Sequence, residues 1–465
     1  MIDPDVIERT IAAALSTGAD FAEVFVEDRR STGAVLDDGK VEELTSGRDR
    51  GAGIRVVVGD STGFAHTADL SERGLIETAR IAAAAARGAN SDNRSVVLGS
   101  KVGRLDPSVA ILPEEIGKAR KVELLIRADD VARSTGLEIT QVMARYSDSR
   151  RRILVANSDG VFGADDQVKT TFSISCVATG DAGMQTGRES IGHTIGFELF
   201  DRYDVEDLAR NAAHRAITKL AARPAPSGQM TVVIGSGGGG VMFHEACGHG
   251  LEADLVNKGA SVFAGRVGEV VASPLVTLVD DGTMGGEWGQ FAIDDEGHPA
   301  TRNVLIENGV LMDYMWDGLR ARKDGRRSSG NGRRQSYQHL PMVRMTNTYL
   351  LGGADRPTDI IAGTDSGVYI AHLGGGQVNT ATGDFVFGIT EAYLIESGEI
   401  TEPLREGNLI GNGPSVLAEI DAVGNDFAMG PPGTCGKDGQ GVPVGDGVPT
   451  LRVRTGLTIG GTASA

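Results

Sequence analysis

The chain has 465 residues, and its 45 Lys and Arg against 63 Asp and Glu leave a net charge of −18. That balance excludes general affinity for nucleic acid or for an anionic membrane surface. The length permits a large core and suggests two to three domains, while 66 glycines and only 5% aromatics announce many turns and hairpins.

The N-terminus carries Asp3, Asp5 and Glu8 and no basic region, so it reads as a mature helix and not as a signal peptide. Asp3-Pro4 supplies an N-cap and a first-turn proline, Gly18 closes the helix, and Val6, Ile7, Ile11 and Leu15 form its buried stripe. Short strands are predicted next. Phe21 to Glu27 leads through Asp28-Arg29-Arg30 into Thr32 to Leu36, and Asp38-Gly39 turns into Lys40 to Thr45. Gly53 to Val58 pairs with Gly63 to Thr67, and a helix over about Asp69 to Arg87 covers the sheet. After a polar link at Gly88 to Asn93 the rhythm repeats. A helix runs from Pro113 to about Ser134, followed by strands Glu138 to Tyr146, Ile153 to Ala156, Val168 to Thr179 and Gln185 to Phe197, and a helix Val205 to Ala222. His66, His193 and His214 in this half read as structural.

Arg223 to Gln229, rich in proline and turn formers, is the best domain boundary. Beyond it, Thr231 to Ile234 reads as a strand, Gly235 to Gly240 as a glycine run, and His244, Glu245 and His249 sit on the apolar helix that follows. Two imidazoles with a carboxylate beside the first can bind zinc and leave the carboxylate free to act on water. The familiar spacing is His-Glu-x-x-His; here one residue more intervenes. On a straight α-helix residues five apart are rotated by roughly 140°, so a metal requires a π-bulge or an unwinding near Gly248 and Gly250. Otherwise His244 is a hydrogen-bonded core residue and His249 a helix-end residue. Gly235-x-Gly237-x-x-Gly240 matches the dinucleotide fingerprint only trivially; a backbone that must approach another chain or a substrate closely accounts for it better.

The chain then turns strongly β, with hairpins at Asn308-Gly309 and Ser397-Gly398. The segment Arg320 to Arg334 is basic but lacks interleaved aromatics; it is either a solvated loop or a glycine-hinged loop holding substrate carboxylates. Cys435, in the turn-rich stretch Gly430 to Gly447, has Lys437 nearby, and a cation favours thiolate, a good zinc ligand. Cys435 is either that ligand or a free thiol; Glu252 is the alternative third ligand, and Cys247 a weaker one. Three distant cysteines (Cys176, Cys247, Cys435) do not describe a disulfide framework, and no apolar run is long enough to span a membrane, so a cytoplasmic protein is expected. The fold class is α+β, with residues 1–223 a helix and antiparallel-sheet domain and residues 230–465 a β-rich domain carrying the deformed metal-binding helix.

HEACGHGLEADLV (His244 to Val256), SSGNGRRQSYQHLPMVRMTNTYL (Ser328 to Leu350), GGGQVNTATGDFVFGITEAYLIESG (Gly374 to Gly398) and CGKDGQGVPVG (Cys435 to Gly445) together resemble the TldD branch of the TldD/PmbA metalloprotease family. GADFAEVFVE and GAGIRVVVGDSTGFAHT fit too, so the resemblance covers essentially the whole chain. It implies a zinc peptidase in which His244, His249 and Cys435 hold Zn2+ and Glu245 is the catalytic glutamate acting on a metal-activated water. It also implies a heterodimer with a PmbA-type (TldE) subunit lacking the metal motif, or a homodimer, and an active site opening into an internal chamber. Peptides or unfolded chains are expected to lie extended along a sheet edge near Gly375 and Gln377, with Arg333, Arg334, Tyr337 and His339 as further candidate contacts. Two other classes are a non-catalytic binding or modulator subunit with a structural zinc, and a nucleotide-binding oxidoreductase.

Overall fold

Asp3 accepts a hydrogen bond from the Asp5 amide and Pro4 fills the first helical position, so α1 (Pro4–Leu15) starts where the capping residues place it. The computed structural model describes residues 2–86, 109–181 and 183–462; the polar link expected at Gly88 to Asn93 lies outside them. β1 (Phe21–Asp37) and β2 (Lys40–Val58) form one long hairpin, turned at Asp38 and Gly39 with φ of 49° and 75°. No break occurs at Asp28-Arg29-Arg30, where the sequence suggested two short strands. The charges there are paired across the ladder instead, Asp28 with Arg48 at 2.6 Å and with Arg152 at 3.1 Å.

β3 (Ser61–Thr67), α2 (Glu72–Ala86) and α3 (Lys118–Thr135) follow. α3 starts later than its proline suggested, because Pro113–Glu115 closes a single 3-10 turn and Ile116 is extended. β4 (Ile139–Asn157) runs through what had looked like two strands; β5 (Phe162–Gly180), β6 (Gly183–His193) and α4 (Val205–Leu220) complete this half. The two apparent rounds are therefore one antiparallel sheet, ordered β3-β2-β1-β4-β5-β6. β1 shows why: Ala22, Val24 and Val26 pack in the core with α1 and α2, while Glu23, Phe25 and Glu27 face the other way and are equally buried. Covering that second face is the C-terminal half. Arg55 bridges Glu23 at 2.8 Å and Glu296 at 2.7 Å, Arg151 bridges Glu27 and Asp295, and Phe25, Ile153, Val155, Ile293 and Tyr337 form the apolar seam.

The C-terminal half holds a ten-stranded and a seven-stranded sheet. The proline-rich boundary is not a loose tether: Arg223–Pro224 pairs with Leu404 and Arg405, and Gly228–Gln229 with Thr458 and Ile459. Val232–Ile234 runs parallel to the strand Ser366–Val378. The turns at Asn308-Gly309 and Ser397-Gly398 form as predicted, with both non-glycine residues at positive φ. Met242, Phe243, Ala246, Cys247 and Leu251 sink the glycine-led helix into the main core. Among the described residues no helix is long and apolar enough to cross a membrane.

Candidate metal centre

The glycine run brings backbone against backbone within this chain. A Cβ at Gly238 would lie 1.7 Å from the Ala371 carbonyl, and one at Gly240 would lie 2.7 Å from the Gly447 nitrogen. The helix that follows changes pitch twice. Val241–Phe243 is α-helical, His244–Gly248 is a π-helical turn closed by the His249 amide on the His244 carbonyl, and His249–Leu251 is a 3-10 turn. The wider turn absorbs the extra residue of the motif. Both rings now face one side, 4.9 Å apart between centroids and nearly perpendicular at 88°.

Cys435 arrives from the hairpin Gly433–Lys437 and Gln440–Val448. Fully buried Arg344 fixes that hairpin by donating to the carbonyls of Cys435 and Gln440. The ligand atoms of His244, His249 and Cys435 lie within 4.8 Å of one another, and Cys435 Sγ is 3.4 Å from His249 Nε2. Ligand atoms on a tetrahedral zinc stand about 3.3–3.6 Å apart, given bonds of about 2.0–2.3 Å. The Cys435–His249 separation has that spacing, and two imidazoles with a thiol are a donor set that fits zinc. Burial alone would raise the Cys435 thiol; the two imidazoles outweigh it and pull the group down to about 4, so it is thiolate at neutral pH. His244 and His249 are raised in return: burial lowers each, but Cys435 reverses this at His244, and Glu252 with Cys435 at His249. His244 Nδ1 is buried without a hydrogen-bond partner among the described residues.

Glu245 lies on the wall of a cavity of about 550 Å³ that both histidines and Cys435 also line. Burial pushes its carboxyl up, toward the range in which one group both takes and returns a proton. Glu252 stands elsewhere than the third-ligand alternative required: its Oε2 accepts from His249 Nδ1 at 3.0 Å, on the far side of the ring from Cys435. Cys247 packs in the core, its thiol donating to the Phe243 carbonyl and pushed up to about 12 by burial. Lys437 is engaged with Glu252 and Asp254, so the imidazoles, and not this lysine, lower the Cys435 thiol.

Of the candidate substrate contacts, Gln377 lines the cavity and Gly375 is exposed beside it. Arg333, Arg334 and Tyr337 are not brought there. Arg333 donates to the carbonyls of Met345 and Pro443, Arg334 pairs with Glu23, and the Tyr337 amide donates to Glu27, all three being buried. The Nδ1 of His339 lies 2.9 Å from Ser336 Oγ, and the residue does not line the cavity. Arg320, Arg322 and Arg326 of the basic segment pair with Asp317, Asp159 and Asp313. Asp446, which no motif singled out, is a buried carboxylate on the cavity wall that burial raises to about 6.

An α+β protein with two histidines and a thiolate converging beside a free glutamate, on a cavity wall, has the make-up of a metallopeptidase. The chain belongs to the PmbA/TldD metallopeptidase family: the model of that family's C-terminal domain matches residues 227–461, that of its central domain residues 111–220, and that of its first domain residues 22–86. It is 40% identical over 455 residues to the metalloprotease TldD homolog of Haemophilus influenzae, covering 95% of this chain and 93% of that one. A metalloprotease of Methanothermobacter thermautotrophicus is 36% identical over 99% of this chain and its own full length. TldE from Thermococcus kodakarensis shares the fold, with a TM-score of 0.79 at 21% identity over 98% of this chain and 99% of that one.

Proposed function

We propose that the chain is a zinc-dependent peptidase acting on peptides or unfolded chains, with His244, His249 and Cys435 as ligands and Glu245 as the residue that moves protons. The observation that carries this is the convergence of the three ligand atoms within 4.8 Å on a cavity wall that Glu245 shares. Zinc bound there supplies Lewis-acid polarisation of the attacking water and of the scissile carbonyl. Glu245 accepts a proton from that water and passes it to the leaving amine. The buried surroundings that raise its carboxyl favour this double duty.

Substrate lies between two strand edges. Val232–Ile234 pairs with Val368 to Ile370 and the Leu373 amide donates to the Gly238 carbonyl; beyond Leu373 no strand among the described residues pairs on that side, and Gly376, Gln377 and Val378 line the cavity. Among the described residues Gly433–Lys437 pairs only with Gln440–Val448, and Gly433 to Lys437 line the cavity too. An extended peptide finds main-chain partners on both edges, which gives grip with little sequence preference. The partner we propose is a TldE-type subunit, supported by family membership and by the fold shared with TldE of Thermococcus kodakarensis. The location we propose is the cytoplasm, supported by three buried, unpaired cysteines.

The test is Glu245→Gln in the full chain, assayed with an unfolded casein and by elemental analysis, with and without a TldE-type subunit. Full metal content with turnover lowered about 10²–10⁴-fold is expected. Unchanged cleavage would remove Glu245 from its role, and zinc without cleavage in any combination with the wild-type chain would leave a binding subunit with a structural metal.

A further inference from the structure

We propose that Lys437 is a positioning residue: it docks the Cys435 hairpin onto the His249 segment and holds His249 with Nε2 presented to the metal. The proposal rests on the metal-site reading above. Cys435 and Lys437 are two residues apart on one strand, so their side chains leave the same face. The thiol reaches His249 Nε2 at 3.4 Å. The ammonium reaches Glu252 Oε2 at 2.9 Å, and that same oxygen is 3.0 Å from His249 Nδ1. One strand therefore grips one imidazole from both sides, directly at Nε2 and through Glu252 at Nδ1.

The ammonium has no hydrogen to spare. It donates to Glu252, to Asp254 Oδ1 at 2.7 Å and to the Val343 carbonyl at 3.1 Å, three acceptors for three N–H groups. Glu252 is fully buried, and its Oε1 has no partner among the described residues, so Lys437 and His249 are what keep this carboxylate satisfied. A carboxylate at Nδ1 selects the tautomer protonated there and leaves the Nε2 lone pair on the Cys435 side. Arginine would not reproduce this, because a planar fork does not converge three donors on one point.

The experiment is chelator competition for zinc on the full chain, comparing Lys437→Met, Glu252→Gln, the double variant and Asp438→Asn, an exposed charge on the same cavity wall. Lys437→Met and Glu252→Gln should each weaken zinc binding about 10–100-fold, as loss of an outer partner of a ligating histidine does. The double variant should be little worse than either single one, and Asp438→Asn should match wild type. Wild-type zinc affinity in Lys437→Met, or losses that simply add, overturns the proposal. Nitrogen-15 NMR of the zinc-loaded wild type covers the case in which the variants unfold: His249 should carry its proton on Nδ1, and a proton on Nε2 overturns the proposal. Zinc retained in His244→Ala would instead bring down the metal-site reading, which Lys437→Met alone does not test.

Discussion

Three buried cysteines in one chain give an internal comparison of what surrounds a thiol. Cys176 and Cys247 are pushed up to about 12 by burial, whereas Cys435 is pulled down to about 4 by His244 first and then His249. Against an ordinary value of 9.0, the drop at Cys435 corresponds to roughly 7 kcal/mol of preference for thiolate at about 1.4 kcal/mol per unit. The metal-free protein at pH 7 should therefore show thiolate absorbance near 240 nm equal to one cysteine. That signal should disappear on acidification with a midpoint near 4, and a further rise from the other two should come only close to pH 12. His244→Ala removes the larger of the two imidazole contributions, so the Cys435 midpoint should climb about 1–3 units, the usual effect of one opposite charge at contact. The sign follows from the charges: thiolate is favoured by a neighbouring imidazolium, so losing one moves the midpoint up. The measurement is an ultraviolet pH titration of apoprotein, with Cys435→Ser as the blank. A wild-type midpoint at 9 or above, or a blank with the same absorbance at pH 7, would refute the reasoning.

Elsewhere, Arg55 and Arg322 both lie over the Phe21 ring, at 5.5 and 5.1 Å, and both pair with acids, yet their side chains are 3% and 45% exposed. Arg55→Met strands Glu296 and should cost about 3 kcal/mol in urea unfolding, while Arg322→Met should cost under about 1; equal losses would undo the burial argument. Gly238→Ala forces a Cβ onto the Ala371 carbonyl and should lose about 1–3 kcal/mol, whereas Gly436→Ala meets nothing within 4 Å and should unfold with wild type. Cys435→Ser should lower bound metal in elemental analysis and Cys247→Ala should not; the reverse result would exchange their roles.

What was legible in the chain was local. Asp3-Pro4, Asp38-Gly39, Asn308-Gly309 and Ser397-Gly398 each act through their own backbone, so the first helix cap and three turns are where the residues place them. A metal shared by histidines five residues apart required a distorted helix, and the π-helical turn His244–Gly248 is such a distortion. What failed depended on distant partners. Asp28-Arg29-Arg30 looked like a break because Arg48 and Arg152, which neutralise it, lie on other strands. Arg333 and Arg334 looked available to substrate because nothing in their own segment said that Glu23 and the Pro443 carbonyl would take them. Lys437 looked like the cause of a low thiol pKa because sequence adjacency to Cys435 hides the two acids that occupy it.

The same distant contacts tie the N-terminal half to the proposed centre, although none of the three proposed ligands belongs to it. Glu23 of β1 holds Arg334, and the next residue in the chain, Gln335, exchanges hydrogen bonds with the Cys435 hairpin, its amide donating to Gln440 Oε1 at 3.0 Å and its Oε1 accepting from the Gly441 amide at 2.7 Å. Arg333, one residue before, donates to the Pro443 carbonyl on the same hairpin. The buried face of the first sheet thus ends, two contacts later, on the strand Gln440–Val448, which pairs with the one that carries Cys435. Buried charge pairs gain little net stability over apolar packing, but each fixes one geometry, since any other leaves a charge unpaired. In the proposed centre a thiolate from one hairpin meets two imidazoles from a helix nearly 190 residues earlier in the chain, 186 between Cys435 and His249. Arg344 fixes that hairpin directly, and the buried Glu23 of β1 adds to this through Arg334 and its two chain neighbours.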